Sequence, residues 1–234
     1  MTDSFAPYFA HIHPAGYRKT APASNDTFNH RYLIKLSDAS WLEIPLCALP
    51  GDQQAIALLM SNQCPLSVTE HLSGLIAEKA AMFQPESIVA IPTMGLEYGS
   101  RVAAKLRMEH YVAMGFSHKF WYDEHLKETV VSSTSPDQRK FLYLDPALLN
   151  RVQGKRVVIV DDVINTGASM LAATRLLRRA GAEVAGIVVA LTEGYAWRET
   201  LSDISIMMPD KVSAAGHIPL FMKKGSAWVA QPDT

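Results

Sequence analysis

Two adjacent carboxylates, Asp161 and Asp162, stand immediately after an unbroken apolar run at residues 157–160. That run is rich in β-branched residues, which is typical of a strand buried on both faces of a parallel sheet. Small residues suited to a tight turn and a helix start follow, and they are Asn165, Thr166, Gly167 and Ser169. The spacing therefore predicts a strand, an acid pair, a turn and a helix in direct succession.

The predicted helix covers residues 170–180, with Gly181 where a helix should stop. A loop that runs into a helix N-terminus presents free backbone N–H groups and a positive dipole end, which suits phosphate. Gly167 would let the backbone approach the anion, and a β-carbon there would enter the anion's space or force an unfavourable backbone angle. The two carboxylates suit neutral hydroxyls or a hard cation such as Mg²⁺. Together these groups predict a site for a sugar phosphate lying along the turn.

This stretch resembles the phosphoribosyl-pyrophosphate (PRPP) motif of type I phosphoribosyltransferases, and its wider order is most similar to the adenine and xanthine branch. The resemblance implies that Asp161 and Asp162 act in catalysis and hold the ribose diol and Mg²⁺, directly or through water. The PRPP-binding residues that it implies are Asp161, Asp162, Val163, Asn165, Thr166, Gly167, Ala168 and Ser169. An ordinary strand–turn–helix whose acids cap the helix, or a phospho-acceptor aspartate, would not require Thr-Gly and a hydroxyl downstream.

Strands alternate with helices over residues 67–195, which predicts an α/β fold with a parallel sheet. The resemblance covers the same core and implies helices on both faces and a small hood. Residues 1–60 are predicted to be an N-terminal extension with a β-hairpin, followed by a helix at 53–60. Residues 61–234 would hold the core and a C-terminal hood segment. A capping box is predicted at Ser67 and Glu70.

The resemblance also implies functions for two further loops. It implies that Thr93, Met94, Gly95 and Leu96 bind pyrophosphate, although the family commonly has Arg or Lys where Met94 stands. Residues 115–140 would be a flexible catalytic loop that closes over the substrates. In that loop Lys119 would bind pyrophosphate and act in catalysis, and Glu124 or Glu128 would serve as the acid or base.

Composition narrows the remaining choices. The chain has 234 residues, a formal net charge of −1 and 48% hydrophobic residues, so no broad nucleic-acid-binding surface is expected. Its two cysteines, Cys47 and Cys64, lack metal-binding spacing and are expected to be reduced. No apolar run suits a membrane span, and the first residues lack a signal-peptide pattern, which predicts a cytoplasmic protein.

The expected function is transfer of the 5-phosphoribosyl group from PRPP to a purine-like base with release of pyrophosphate. Two alternatives remain open: a non-catalytic PRPP-sensing regulator of the same fold, and an orotate-type phosphoribosyltransferase. The family implies a homodimer whose ligands are PRPP and a nucleobase. In the hood, Phe221 or Trp228 could stack on the base or belong to the core.

Overall fold

The computed structural model of the chain describes residues 8–18, 20, 22, 26–130, 140–231 and 234. Its N-terminal part contains short strands, and they are β1 (His11–His13), β2 (Thr27–Phe28), β3 (Arg31–Lys35), β4 (Trp41–Ala48) and β5 (Gln54–Ala57). Strands β3 and β4 pair antiparallel, which confirms the predicted hairpin. The predicted helix at 53–60 is wrong, because β5 pairs with β4 on one side and with a C-terminal strand on the other.

The middle of the chain alternates helices and strands. In order they are α1 (Leu66–Ala81), β6 (Ser87–Ala90), α2 (Gly95–Lys105), β7 (Val112–Ala113), β8 (Lys127–Val130), β9 (Lys140–Tyr143), β10 (Arg156–Ile164), α3 (Ala168–Arg179), β11 (Glu183–Glu193), α4 (Ala196–Ser202) and β12 (Val212–Ile218). The last strands are β13 (Phe221–Lys224) and β14 (Ala227–Ala230). Short 3₁₀ turns lie at Glu124–Leu126, Pro146–Arg151 and Pro209–Lys211.

The central sheet has the spatial order β12-β11-β10-β6-β7, and its neighbouring strands are all parallel. Strand β10 lies in the middle, between β11 and β6. This arrangement confirms the predicted α/β fold. Ligands of such sheets bind beyond the carboxyl ends of the strands, so the ends of β6, β10 and β11 define one functional edge.

Helices cover both faces of this sheet. Along β10, Val158 and Val160 pack into a core with α1 and α2, whereas Val157 and Ile159 pack into a second core with α3. This alternation explains the unbroken apolar run, because a strand covered on both faces buries every side chain. The predicted helices on both faces are confirmed.

A second sheet joins the two ends of the chain, and we call it the hood sheet. Its order is β1-β4-β5-β13-β14-β2, with β3 also paired to β4. Strand β13 pairs antiparallel with β5, and β14 pairs antiparallel with β2. Strand β12 belongs to the central sheet, although residues 204–229 were expected to contribute to the hood. The boundary predicted at residue 60 stays a prediction.

Two local details differ from expectation. Helix α1 begins at Leu66 after Pro65, and no side chain caps its N-terminus. The capping box is therefore wrong: Ser67 already lies inside the first turn. The catalytic-loop segment was expected to be irregular over 115–140, but β8 lies within it and pairs antiparallel with β9. Residues 131–139 of that segment lie outside the described residues.

Candidate functional site

The acid pair lies inside the last part of β10 and not in the loop after it. Asp161 pairs in register with Val189 of β11, and the strand continues to Ile164. This parallel pairing places the carboxylates at the carboxyl edge of the central sheet. Asp161 is buried, with 7% of its surface exposed, whereas Asp162 is partly exposed.

Burial and mutual repulsion make this pair unusual. Burial, and then the negative charge of Asp162, raise the pKa of Asp161 well above its usual range. Burial also raises the pKa of Asp162. The backbone N–H of Asp162 donates to Asp161 Oδ1 at 2.9 Å and offsets part of this effect. A ligand that brought hydroxyl donors or positive charge would relieve the remaining unfavourable electrostatics.

The loop after β6 meets the acid pair directly. A β-carbon built on Gly95 would lie 2.6 Å from Asp161 Oδ1 and 3.0 Å from the carbonyl oxygen of Val160. The backbone N–H of Gly95 also donates toward the Asp161 carboxyl. Glycine is therefore needed here for the close approach of two backbones. The N-terminus of α2 and the carboxyl end of β10 are thus in contact.

Helix α2 begins at Gly95, three residues before residue 98, where the sequence predicts its start. Thr93 and Met94 therefore precede the helix, and Gly95 and Leu96 lie in its first turn. The peptide bond between Pro92 and Thr93 is cis. Thr93 is exposed, and Met94 and Leu96 are partly exposed. The positive side chain nearest in sequence, Arg101, forms ion pairs with Glu97 and Glu70. Pyrophosphate binding by residues 93–96 therefore depends on backbone groups, and it stays a prediction.

The turn after β10 leads into α3 as expected. A cavity of about 170 Å³ opens there, lined by Asp161, Val163, Ile164, Asn165, Thr166, Gly167, Ala168, Ser169 and Met170. The first helical hydrogen bond runs from the Leu171 N–H to the Gly167 carbonyl at 2.8 Å. The Thr166 hydroxyl accepts from the Ala168 N–H at 3.4 Å. The N–H groups of Ser169 and Met170 thus stand at the open end of the helix, where an anion is favoured.

Gly167 has a different role from the expected one. Its φ of +82° lies in the left-handed region that favours glycine. A β-carbon there would lie 3.1 Å from the Cα atom of Trp197 and 3.3 Å from the Cβ atom of Thr200. The missing side chain therefore faces α4 and not the anion. Of the two expected effects of a β-carbon, entry into the phosphate space is wrong, and the unfavourable backbone angle is confirmed.

Asn165 is exposed on the same turn, and its side chain reaches the neighbouring strand. Its Nδ2 donates to Glu193 Oε2 at 2.6 Å. Glu193 is the last residue of β11 and is buried, with 7% of its surface exposed. Burial raises the pKa of this carboxyl, and the bond from Asn165 acts in the opposite direction.

Sequence reasoning missed Glu193, because the sequence predicts the last strand of the core only over residues 183–191. The signal was available: an acid at the carboxyl end of a parallel strand next to β10 belongs to the functional edge. Tyr98 was missed too. It is fully buried, its hydroxyl lies 2.9 Å from the Ser61 hydroxyl, and its pKa is raised by burial and by the charge of Asp162. This contact links the end of the N-terminal region to α2.

The expected catalytic-loop residues lie apart from this cluster. Lys119 is exposed, and within residues 26–130 and 140–231 no hydrogen bond or ion pair holds its side chain. Glu124 is exposed and pairs with Lys127, which lowers its pKa. Glu128 pairs with Arg179 of α3 at 2.9 Å. The described contacts do not bring Lys119 or Glu124 to the acid pair, and their roles stay predictions.

Both aromatic candidates of the hood belong to its core. Phe221 is almost fully buried, and its ring lies edge-to-face against Tyr32 at 4.9 Å. Trp228 is also buried, beside Lys223 at 5.8 Å from its ring centre. The core interpretation of these side chains, which the sequence left open, is the one that the structure supports.

Comparison with known proteins gives this site a family. Residues 65–215 match the model of the phosphoribosyl transferase domain, and this match covers the central sheet as far as the middle of β12. The chain belongs to that family. A phosphoribosyltransferase fold was expected from the sequence, and this expectation is confirmed.

Individual relatives are named for different bases. The chain is 33% identical over 137 residues to a hypoxanthine/guanine phosphoribosyltransferase of Methanocella paludicola, covering 58% of this chain and 67% of the relative. It is 50% identical over 50 residues to an orotate phosphoribosyltransferase of Pyrobaculum aerophilum, covering 21% of this chain and only 26% of the relative. The family relationship therefore leaves the base open.

Solved phosphoribosyltransferases share the fold. An adenine phosphoribosyltransferase from Rhodothermus marinus superposes with a TM-score of 0.56 at 21% identity, covering 74% of this chain and 93% of its own. The Giardia lamblia enzyme complexed with 9-deazaadenine gives a TM-score of 0.57 at 20% identity, covering 74% and 92%. At this identity the likeness concerns the fold alone.

Metal-binding clusters and membrane-spanning helices are both absent from the residues that the structure describes. No cluster of three or more His, Cys, Asp or Glu side chains that could hold a metal ion by themselves occurs among them. None of the helices in this part of the chain is both long and apolar enough to span a membrane.

Proposed function

We propose that this phosphoribosyltransferase transfers the 5-phosphoribosyl group of PRPP to a purine base and releases pyrophosphate, as in nucleotide salvage. One observation carries the proposal: Asp161, the buried member of the acid pair, and the open N-terminus of α3 line a single cavity. An anion site and two hydroxyl-accepting carboxylates at opposite ends of one turn match a sugar phosphate. The purine assignment is supported by the 33% identical relative named for hypoxanthine and guanine.

In this proposal the N–H groups of Ser169 and Met170 bind the 5-phosphate, with the hydroxyls of Thr166 and Ser169 as further donors. Asp161 and Asp162 accept hydrogen bonds from the ribose hydroxyls. Val163, Asn165, Gly167 and Ala168 complete the wall of the site. The bound sugar would be held on both sides of C1, which orients this atom for displacement.

The reaction breaks the bond between C1 and the pyrophosphate oxygen and forms a bond between C1 and a base nitrogen, whose proton is released. Residues 93–96 would hold the leaving pyrophosphate through backbone groups, and Lys119 would add charge as the segment closes. Glu124 would accept the proton; Lys127 lowers the pKa of this carboxyl, which keeps it ionised but makes it a weaker base. Excluding water would protect the cation-like sugar from hydrolysis.

Mg²⁺ is the cation that the family implies. Asp161 and Asp162 fit it, because carboxylate oxygens at a negatively charged edge are the donors that this hard cation prefers. With only two such residues in place, water and the ligand would supply the other donors. Bound there, Mg²⁺ would neutralise negative charge on the pyrophosphate.

The experiment is an assay of pyrophosphate release from PRPP with adenine, hypoxanthine, guanine, xanthine and orotate. Release with a purine supports the proposal. Release only with orotate would show that the enzyme accepts orotate and not a purine. PRPP binding without release from any base would favour the sensing alternative, which is supported by the lack of a basic side chain at Met94 and at Gly115-Phe116. No PRPP binding by calorimetry would refute all three. Light scattering at the same time would test the proposed homodimer of 25.8 kDa chains.

A further inference from the structure

The hydrogen bond between Asn165 and Glu193 does more than hold the turn and the end of β11 together. Glu193 is buried at the end of β11, and Asn165 is the hydrogen-bond partner of its carboxylate among the described residues. Its position is fixed on the other side, since the Gly194 N–H donates to the Ile218 carbonyl at 3.0 Å. The Trp197 indole N–H also donates to the Gly194 carbonyl at 3.0 Å. The carboxylate is therefore held in a well-anchored corner.

A carboxylate can only accept hydrogen bonds, so it decides which end of the amide faces it. The NH₂ group of Asn165 faces Glu193, and the carbonyl Oδ1 therefore points away from it. Asn165 is exposed and lines the cavity of the turn. Without Glu193 the amide could rotate by half a turn and present its NH₂ group instead.

We propose that Glu193 is a positioning residue that fixes Asn165 as a hydrogen-bond acceptor toward the bound ligands. The group that Asn165 recognises is then a donor, either a ribose hydroxyl of PRPP or an N–H of the nucleobase. A phosphate oxygen is excluded as its partner, because both atoms would be acceptors. The inference rests on the proposed function and deepens it, since it assigns the polarity of one contact in that site.

A reciprocal exchange of the two side chains tests this role. In Asn165→Asp two carboxylates would stand at hydrogen-bond distance and repel, so Asp would turn away from its place. In Glu193→Ala the amide loses its partner and its fixed orientation. The double variant Asn165→Asp with Glu193→Gln restores one donor facing one acceptor, and it leaves an aspartate oxygen free to accept from the ligand.

We expect each of Asn165→Asp and Glu193→Ala to weaken ligand binding by about 10-fold, the effect of one lost hydrogen bond. The double exchange should recover binding to within about 3-fold of the parent. Glu183→Gln, at the exposed opposite end of β11, is the control and should change nothing. Melting temperatures of all variants separate loss of recognition from loss of fold.

Two titrations distinguish the sources of the donor. If a ribose hydroxyl is the donor, the Kd of PRPP alone rises in the single variants. If a base N–H is the donor, that Kd is unchanged and the KM of the base rises. Unchanged values of both, or no recovery in the double exchange, would overturn the inference even though the parent transfers the phosphoribosyl group.

A ligand-free measurement keeps this result separate from the proposed function. The side-chain NH₂ signals of Asn165 in an NMR spectrum, assigned by their loss in Asn165→Asp, should shift in Glu193→Gln and not in Glu183→Gln. If the parent does not bind PRPP, the proposed function and the ligand role of Asn165 both fail. The spectrum then still decides whether Glu193 orients the amide: signals unchanged in Glu193→Gln would overturn that part too.

Discussion

At the scale of single residues, the site is built from groups whose burial is unfavourable in the free protein. Asp161 is buried beside a second carboxylate, and its pKa is raised well above the usual range. Such a group binds its proton more tightly in the folded than in the unfolded chain. The ionised form of Asp161 therefore lowers the free energy of unfolding. This destabilising charge is retained because a ligand can use it.

Asp161→Asn should consequently stabilise the ligand-free protein while removing PRPP binding. Stability from Asp161 falls as pH rises from the unfolded pKa through the raised folded pKa, and Asn does not titrate. The variant's advantage in melting temperature should therefore be largest at pH 8 and shrink as the pH is lowered toward 4. About 1 kcal/mol corresponds to roughly 2–4 °C for a chain of this size. Melting curves in the presence of a chelator check the sign, and an advantage that grew on acidification would contradict it.

A second prediction for a single residue concerns Gly95. Gly95→Ala would place a methyl group 2.6 Å from Asp161 Oδ1 and 3.0 Å from backbone atoms of β10. The strand or the α2 turn must shift, at a cost of about 1–3 kcal/mol, and Asp161 would lose its position. We expect a lower melting temperature together with at least 10-fold weaker PRPP binding by calorimetry.

The control for that substitution lies in α1. A β-carbon on Gly74 meets no atom within 4 Å, and its backbone is helical. Gly74→Ala should be neutral or stabilise by up to about 1 kcal/mol, because alanine favours helix. If Gly95→Ala behaved like Gly74→Ala, the close contact between Gly95 and the end of β10 would not exist in solution.

Gly167 separates backbone strain from packing. Gly167→Ala combines a left-handed φ with a contact of 3.1 Å to Trp197, whereas Gly225→Ala has a φ of +63° and open space around it. Both should be destabilised by about 1 kcal/mol of backbone strain, and Gly167→Ala by a further 1–3 kcal/mol from the contact with α4. Chemical denaturation measures the difference, and equal losses would remove α4 from the explanation.

At the scale of elements, the strand–turn–helix of β10 and α3 could be predicted from sequence because its signals are local. Apolar residues on a doubly covered strand, an acid pair and Gly167 follow one another within a few positions. Strand β5 could not be predicted in this way. Residues 54–57 have no strong pattern of their own, and their state is decided by pairing with β13, from the opposite end of the chain.

The same reason explains which site residues were missed. Glu193 joins the site only because β11 lies beside β10, and the bond to Asn165 spans a whole helix in sequence. The hydrogen bond between Tyr98 and Ser61 likewise joins α2 to the end of the N-terminal region, which is distant in sequence. Contacts between distant elements leave no spacing in the sequence, whereas contacts within one turn do.

Arg179 ties the base of the hairpin β8–β9 to the end of α3. Its guanidinium donates to the carbonyl oxygens of His125 and Lys127, at 3.1 and 2.6 Å, and to Glu128 at 2.9 Å. We expect Arg179→Ala to release β8 and to speed limited proteolysis within residues 115–140 several-fold, since local opening governs cleavage.

The neighbouring Arg178→Ala is the matched control for this experiment. Arg178 is also exposed on α3, and within the described residues no hydrogen bond or ion pair holds it. Its substitution should leave the cleavage rate unchanged. In the parent, PRPP with Mg²⁺ should slow the same cut if the segment closes over its ligands. Equal rates with and without PRPP would argue against closure.

At the scale of the whole molecule, the hood sheet and one face of the central sheet share a single core. Phe221, Ile44 and Leu72 belong to it together with Val158 and Val160 of β10. A shared core couples the two sheets energetically, so we expect them to unfold in one transition. The division of the chain near residue 60 is then one of sequence and not of stability.

Phe221→Ala tests this coupling. Removing the buried ring should cost about 3–5 kcal/mol and lower the single melting temperature seen by far-UV circular dichroism and by tryptophan fluorescence. Met222→Ala, at a partly exposed neighbour on the same strand, should cost much less. Two separate transitions, with only the fluorescence change shifted, would show that the hood unfolds by itself.

The hood sheet also has a consequence for biosynthesis. Strands β2 and β5 leave the ribosome long before their partners β14 and β13, because all strands of the central sheet lie between them in the chain. Until β13 is translated, β5 therefore carries an unpaired edge, of the kind that invites association with other nascent chains. The central sheet, from β6 to β12, is translated in that interval and can pair before the hood sheet is complete.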